Sequence, residues 1–205
     1  MLPFPLPGFP GNRCTLHAMK VAALLLAAGK SSRFGANKLL HPLDGQPIAL
    51  RSAVSLKSAF PQALAVVSPG SPLLELLTHA GLRTVVSERA HEGMGESLKT
   101  AIAATMEADA WIVALADMPF IRPATHLAIE RALRHGALIA APAYQGERGH
   151  PVGLSGRFRG DLLALQGDAG ARFILKSHAN DIRVVEVDDP GVLKDIDTPQ
   201  DLPGP

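Results

Sequence analysis

Apolar residues follow two rhythms along this chain. Short unbroken runs alternate with stretches in which apolar positions recur every three or four residues. Val21–Leu26 reads Val-Ala-Ala-Leu-Leu-Leu, and a run with no polar break marks a strand covered on both faces. Runs at 63–67, 84–86, 111–116, 137–142 and 182–187 predict further strands, and 146–154 predicts a loop leading into another. Between them, Pro47 opens a predicted helix whose apolar side includes Ile48, Leu50, Val54 and Leu56. Helices are also predicted over Leu73–His79, 125–135, 157–165 and 170–178, and from Ser97 through Leu98, Ile102 and Met106. Asp44-Gly45, Ser68-Pro69-Gly70 and Gly81 supply turns. This alternation predicts an α/β fold: one domain with an open, mostly parallel twisted sheet and helices on both faces, joined by right-handed crossovers. Ligands are expected at the carboxyl ends of the strands.

Composition narrows the classes. The chain has 205 residues, 47% of them hydrophobic but only 4% aromatic, so Ala, Leu and Val must fill the core. A net charge of +1 with no basic stripe argues against a nucleic-acid partner. No apolar stretch approaches the ~18 residues of a membrane span. Cys14 is the sole cysteine, which excludes an intrachain disulfide framework and fits a reducing cytoplasm. Residues 1–18 carry Pro3, Pro5, Pro7 and Pro10 without a cationic start or an apolar core, so a signal peptide is not expected. That segment reads as a disordered arm or an upstream extension, with Met19 as the natural start and 19–205 as the domain.

The loop after the first strand, Ala27-Ala28-Gly29-Lys30-Ser31-Ser32-Arg33-Phe34-Gly35-Ala36-Asn37-Lys38, holds the chemistry. Ala27, Ala28 and Gly29 have almost no side chain, so a flat ligand can lie against the backbone. Gly29 and Gly35 allow successive N–H groups to turn towards an anion, and Lys30, Arg33 and Lys38 add charge. Such a loop suits a triphosphate. It is not a Walker A motif, because Leu24 stands where that motif needs its first glycine. It is not a dinucleotide fingerprint, because Lys30-Ser31-Ser32 follows Gly29.

Asp117 follows an apolar strand, and Pro119 and Pro123 separate it from the next helix, which favours metal binding over capping. Asp195 and Asp197 flank Ile196, and one of them can join Asp117 around Mg²⁺. The histidines show no zinc spacing. His150 reads equally as a buried structural residue or a functional one. Gly93-x-Gly95 alone is compatible with a merely flexible connection. Ser31, Ser32 and Ser97 lie in no nucleophile elbow.

Six segments in order resemble the cytidylyltransferase branch of the molybdopterin nucleotidyltransferases, the molybdenum cofactor cytidylyltransferase family. They are Leu26-Ala27-Ala28-Gly29 through Arg33-Phe34-Gly35 to Lys38; Gly93-Met94-Gly95-x-Ser97-Leu98; Leu115-Ala116-Asp117-Met118-Pro119-Phe120; Gly149-His150-Pro151-Val152; Gly167-Asp168-x-Gly170-Ala171-Arg172; and Asp195-Ile196-Asp197-Thr198-Pro199. The resemblance implies a Rossmann-like nucleotidyltransferase fold and Mg²⁺-dependent transfer of CMP from CTP to the phosphate of molybdopterin, with release of pyrophosphate. It implies Arg33 and Lys38 as phosphate ligands and Asp117 and Asp197 as metal ligands, with Arg33, Lys38 and Asp117 carrying catalysis. Ala27, Ala28, Gly29, Gly70 and Ser97 would form the nucleotide pocket, and His150 would lie beside the second substrate. Ala28, where the guanylyl branch resembles Ala-Gly-Gly, implies CTP rather than GTP. A molybdoenzyme or its chaperone would receive the product. Two alternatives stay open: a related enzyme acting on methylerythritol phosphate or a sugar phosphate, and a non-catalytic nucleotide or cofactor carrier.

Overall fold

The computed structural model describes residues 18–29 and 37–202. Its first strand, β1 (Val21–Leu26), lies inside a mixed sheet. The other strands are β2 (Pro42–Leu43), β3 (Gln46–Pro47), β4 (Leu64–Val67), β5 (Arg83–Val86), β6 (Ala110–Leu115), β7 (Ile139–Tyr144), β8 (Glu147–Arg148), β9 (Val152–Ser155) and β10 (Ile182–Glu186). The sheet order is β10-β7-β9-β6-β1-β4-β5, with β8 paired to β7; β2 and β3 form a separate hairpin. Pairing is parallel from β6 through β1 and β4 to β5, and again between β7 and β10. The exceptions are β9, antiparallel to both β6 and β7, and β8, antiparallel to β7. The sheet is therefore mostly parallel, as the alternation of strand and helix predicted.

Helices α1 (Ile48–Ala59), α2 (Leu73–His79), α3 (Met94–Ala103), α4 (Pro123–Arg134), α5 (Arg159–Leu163) and α6 (Arg172–Ser177) cover the sheet. β1 shows why its sequence is uniformly apolar. Leu24, Leu26 and Ala28 pack into a core with Leu98, Ile102 and Trp111, whereas Ala23, Leu25 and Ala27 enter another with Ile48, Ala53 and Leu77. Leu24 and Leu25 are fully buried, and each such side chain contributes about 1.5–3 kcal/mol relative to exposure. The face of α4 carrying Ile129 and Leu133 forms a third core with Ile112 and Ala140.

Several boundaries differ from the sequence expectation. α3 stops at Ala103, and Met106 is exposed rather than part of its apolar side. The Thr105 hydroxyl donates to the Ala101 carbonyl and accepts from Trp111 Nε1 at 3.0 Å, which anchors the turn that ends the helix. α4 begins at Pro123, earlier than expected, because proline lacks only an N–H that the first helical turn leaves unpaired. The helix expected over 157–165 divides into a 3₁₀ turn, Gly156–Phe158, and the short α5. The helix expected over 170–178 contracts to α6, after a positive-φ Gly170. Among the described residues, no helix is long and apolar enough to cross a membrane.

Candidate functional site

A cleft of about 520 Å³ opens where β1 and β6 end and α3 begins, within the size range of small-molecule sites. One wall is backbone-rich. Ala28 and Gly29 line it, and a Cβ added at Gly29 would meet nothing within 4 Å. The Ser68 hydroxyl donates to the Ala28 carbonyl at 3.0 Å and ties the β4 turn to this wall. Ala27 does not line the cleft. Strand alternation turns its methyl to the opposite core, and its N–H donates to the Val66 carbonyl. Gly70 is also absent from the lining. It sits exposed in the turn beyond Ser68 with φ +68°.

Opposite lies the start of α3, with buried Ser97 facing the cleft and His91, Gly93 and Met94 beside it. Gly93-x-Gly95 is a packing device rather than a flexible connection. A Cβ on Gly93 would stand 2.4 Å from the Gly167 carbonyl carbon and 2.5 Å from the Asp168 nitrogen, and a Cβ on Gly95 2.6 Å from the Gly167 oxygen. These glycines let the 167–170 loop close onto α3 and bring Asp168 to the cleft wall. Two segments some seventy residues apart in sequence thus form one surface.

The floor carries the charge. Lys38 starts a 3₁₀ turn, Lys38–Leu40, anchored by buried Leu39. Its Nζ donates to Asp117 Oδ2 at 2.9 Å and to Asp197 Oδ1 at 2.6 Å. Burial works against the Lys38 charge, but the hydrogen bonds to Asp197 and Asp117 outweigh it and hold the ammonium above the ordinary lysine range. Asp117 lies just past β6, where the Ala116 N–H donates to the Leu26 carbonyl at 3.1 Å. It caps no helix. Asp189, which no motif singles out, accepts instead from the Arg122 N–H and the Thr125 hydroxyl at the start of α4.

The structure also separates Asp195 from Asp197. Ile196 is fully buried and its N–H donates to the Asp117 carbonyl at 2.9 Å. Asp197 then reaches Lys38, and Asp195 is exposed. The following residues hold this arrangement: Asp201 accepts from the Asp197 and Thr198 N–H groups and the Thr198 hydroxyl. Those three bonds keep the Asp201 carboxyl below its usual range, beginning with the Thr198 backbone.

His150 lies outside the cleft lining. Its N–H donates to the Val192 carbonyl at 3.0 Å, and its ring nitrogen Nδ1 is buried without a hydrogen-bond partner. Burial lowers its pKa, opposed by the charges of Asp117 and Asp195. His150 thus feels the charge of Asp117 without lining the cleft. Arg33 and the rest of the first loop from Lys30 to Ala36 lie outside the described residues.

Two carboxylates, Asp117 just past β6 and Asp197 in the irregular segment after the 3₁₀ turn Pro190–Leu193, meet at Lys38, with backbone and small side chains opposite. That geometry fits Mg²⁺, which takes one or two carboxylates and completes its shell with water and substrate phosphates. Among the described residues, no cluster of three or more His, Cys, Asp or Glu side chains could cage an ion unaided.

Residues 23–182 match the MobA-like NTP transferase domain. The purine catabolism protein PucB of Bacillus subtilis (strain 168) is 33% identical over 197 residues, covering 87% of this chain and 92% of PucB. Nicotine blue oxidoreductase of Paenarthrobacter nicotinovorans is 27% identical over 194 residues, covering 89% and 94%. Among solved structures, Rv0371c of Mycobacterium tuberculosis H37Rv is similar with a TM-score of 0.74 at 28% identity, covering 90% of this chain and 95% of that one. Its complex with manganese gives 0.72 at 26% identity, covering 89% and 96%. By sequence match and fold, the chain belongs to the MobA-like NTP transferase family and is a nucleotidyltransferase.

Proposed function

We propose that this nucleotidyltransferase transfers CMP from CTP to the phosphate of molybdopterin, with Mg²⁺ held by Asp117 and Asp197. The observation that carries the proposal is the convergence of Lys38, Asp117 and Asp197 at one end of a cleft whose other walls are Ala28, Gly29 and Ser97. A triphosphate belongs at the charged end, and a base and ribose against the small residues. The Ala28 methyl narrows the space beside the base, which supports a pyrimidine over a purine. The manganese complex of Rv0371c supports a divalent ion in this fold.

In the reaction, an oxygen of the acceptor phosphate forms a bond to the α-phosphorus of CTP. The bond from that phosphorus to the bridging oxygen breaks, and its electron pair leaves with pyrophosphate. A phosphate monoester is already ionised at neutral pH, so no protein nucleophile or general base is required. Lys38 and Arg33 stabilise the charge that grows on the departing pyrophosphate. The cleft walls hold the acceptor oxygen and the α-phosphorus in line. Mg²⁺ supplies Lewis-acid polarisation of the phosphate oxygens when bound. His150, within the electrostatic reach of Asp117, is assigned to the acceptor side, where an imidazole can donate to a phosphate or a pterin heteroatom. The enzyme is assigned to the cytoplasm, and the product to a molybdoenzyme or its chaperone.

Pyrophosphate release tests the proposal. It is expected only when CTP, Mg²⁺ and molybdopterin are all present, and CTP is expected to outcompete GTP in a mixed reaction. Equal incorporation of the two nucleotides would defeat the base assignment. Absence of pyrophosphate with every acceptor would leave a nucleotide or cofactor carrier.

A further inference from the structure

Lys38 occupies the position that the proposed function gives to the metal ion. Its Nζ sits 2.9 Å from Asp117 Oδ2 and 2.6 Å from Asp197 Oδ1. An ion bound to both oxygens would compete with this nitrogen for the same carboxylates. The two cations exclude each other by contact and by charge.

We infer that Lys38 is the resident counter-ion of the metal site: its ammonium holds Asp117 and Asp197 together before nucleotide arrives, and exchanges with the divalent ion that comes with the triphosphate. The inference rests on the assignment of Asp117 and Asp197 as metal ligands. The need for a resident cation follows from burial. The side chains of Lys38, Asp117 and Asp197 are 12%, 23% and 39% exposed. Two half-buried carboxylates aimed at one point repel each other unless a positive charge lies between them.

The exchange neutralises the site. An ammonium and two carboxylates sum to one negative charge; a divalent ion and the same carboxylates sum to zero. The released ammonium keeps its charge and sits on a flexible four-carbon stem beside the incoming phosphates. The triphosphate therefore supplies both oxygens for the ion and a new partner for Lys38. It favours the exchange over binding of the metal alone. Metal and nucleotide thus bind with positive coupling, because each removes a cost that the other would otherwise bear.

Mn²⁺ alone is the probe, added to nucleotide-free protein, with free ion followed by its electron paramagnetic resonance signal. Lys38→Met is expected to bind Mn²⁺ at least about tenfold more tightly than wild type, because a competing charge at hydrogen-bond distance is gone. Lys38→Gln, whose amide can still donate to one carboxylate, is expected to shift in the same direction and carries the test if Lys38→Met fails to fold. Asp117→Asn added to either variant is expected to abolish the gain. If both Lys38 variants bind Mn²⁺ no more tightly than wild type while Asp117→Asn weakens binding, the exchange is overturned and the metal assignment stands. If Asp117→Asn and Asp197→Asn both leave Mn²⁺ binding unchanged, the metal assignment falls and the exchange with it.

Discussion

Substituting the two glycines that receive the 167–170 loop separates backbone strain from loop placement. Gly93 has φ +137° and ψ 175°, a region essentially reserved for glycine, and forcing another residue into it costs about 1–3 kcal/mol. A new Cβ would also press on backbone atoms at 2.4 and 2.5 Å, which cannot rotate away as a side chain can. Gly95 is different. It lies inside α3 with no positive φ, so alanine there gains up to about 1 kcal/mol of helix propensity. Its cost is a clash at 2.6 Å with the Gly167 backbone oxygen, which only a shift of the 167–170 loop can relieve. Gly93→Ala should therefore lower stability by at least the backbone cost, a Tm drop of roughly 2–4 °C per kcal/mol for a chain of this size. Gly95→Ala should lose less stability than Gly93→Ala, because helix propensity offsets part of the clash, yet raise KM, because Asp168 moves off the cleft wall. Denaturation curves and steady-state kinetics on the pair provide the check. Wild-type kinetics for Gly95→Ala would show that the loop forms no part of the substrate site, and equal stability of the two variants would refute the strain argument.

Three further outcomes are expected. Lys38→Ala should reduce kcat/KM by at least ~10²-fold, as losing a charge that contacts the transition state requires; a folded variant with near-normal turnover would remove Lys38 from the mechanism. Asp117→Asn and Asp197→Asn should each raise the Mg²⁺ concentration needed for half-maximal activity, and a normal Mg²⁺ titration for Asp197→Asn would return the role to Asp195 or to Asp117 alone. His126 is 2% exposed, and burial lowers its pKa from 6.5 to about 4. Its neutral form is favoured on folding, so this stabilising preference is present above pH 6.5 and is lost as pH falls towards 4, a change of about 3 kcal/mol. Urea denaturation across that window should show a shallower acid loss for His126→Phe, and identical pH slopes would contradict it.

The parts of the fold that were legible from sequence are those fixed by burial on both faces. Val21–Leu26 could be bounded to the residue because no polar side chain can be accommodated on either side of it. The antiparallel insertion of β9 between β6 and β7 was not legible, since its four residues carry no mark of their neighbours or direction. The candidate site divides in the same way. Asp117 stood out through its position after an apolar strand, but Lys38 joins it across 79 residues and Asp197 across 159, distances at which sequence spacing is silent. Ala27 and Ala28 are indistinguishable in composition, and only the pleat sends one into the cleft and the other into the core. Asp168 had a signal in principle: a glycine-flanked acid facing a second glycine-rich motif. The motif itself says nothing of which backbone those glycines admit.

CTP labelled in its α-phosphate, given to the protein with Mg²⁺ and an equimolar mixture of molybdopterin and methylerythritol phosphate, tests the central claim most directly. Mass spectrometry of the products should find the label on molybdopterin as a cytidine monophosphate adduct, with pyrophosphate formed in equal amount and both lost on chelation of the metal. Label on methylerythritol phosphate and none on molybdopterin would contradict the acceptor assignment and leave CTP chemistry on this fold; label on neither, with CTP intact, would contradict the transfer itself.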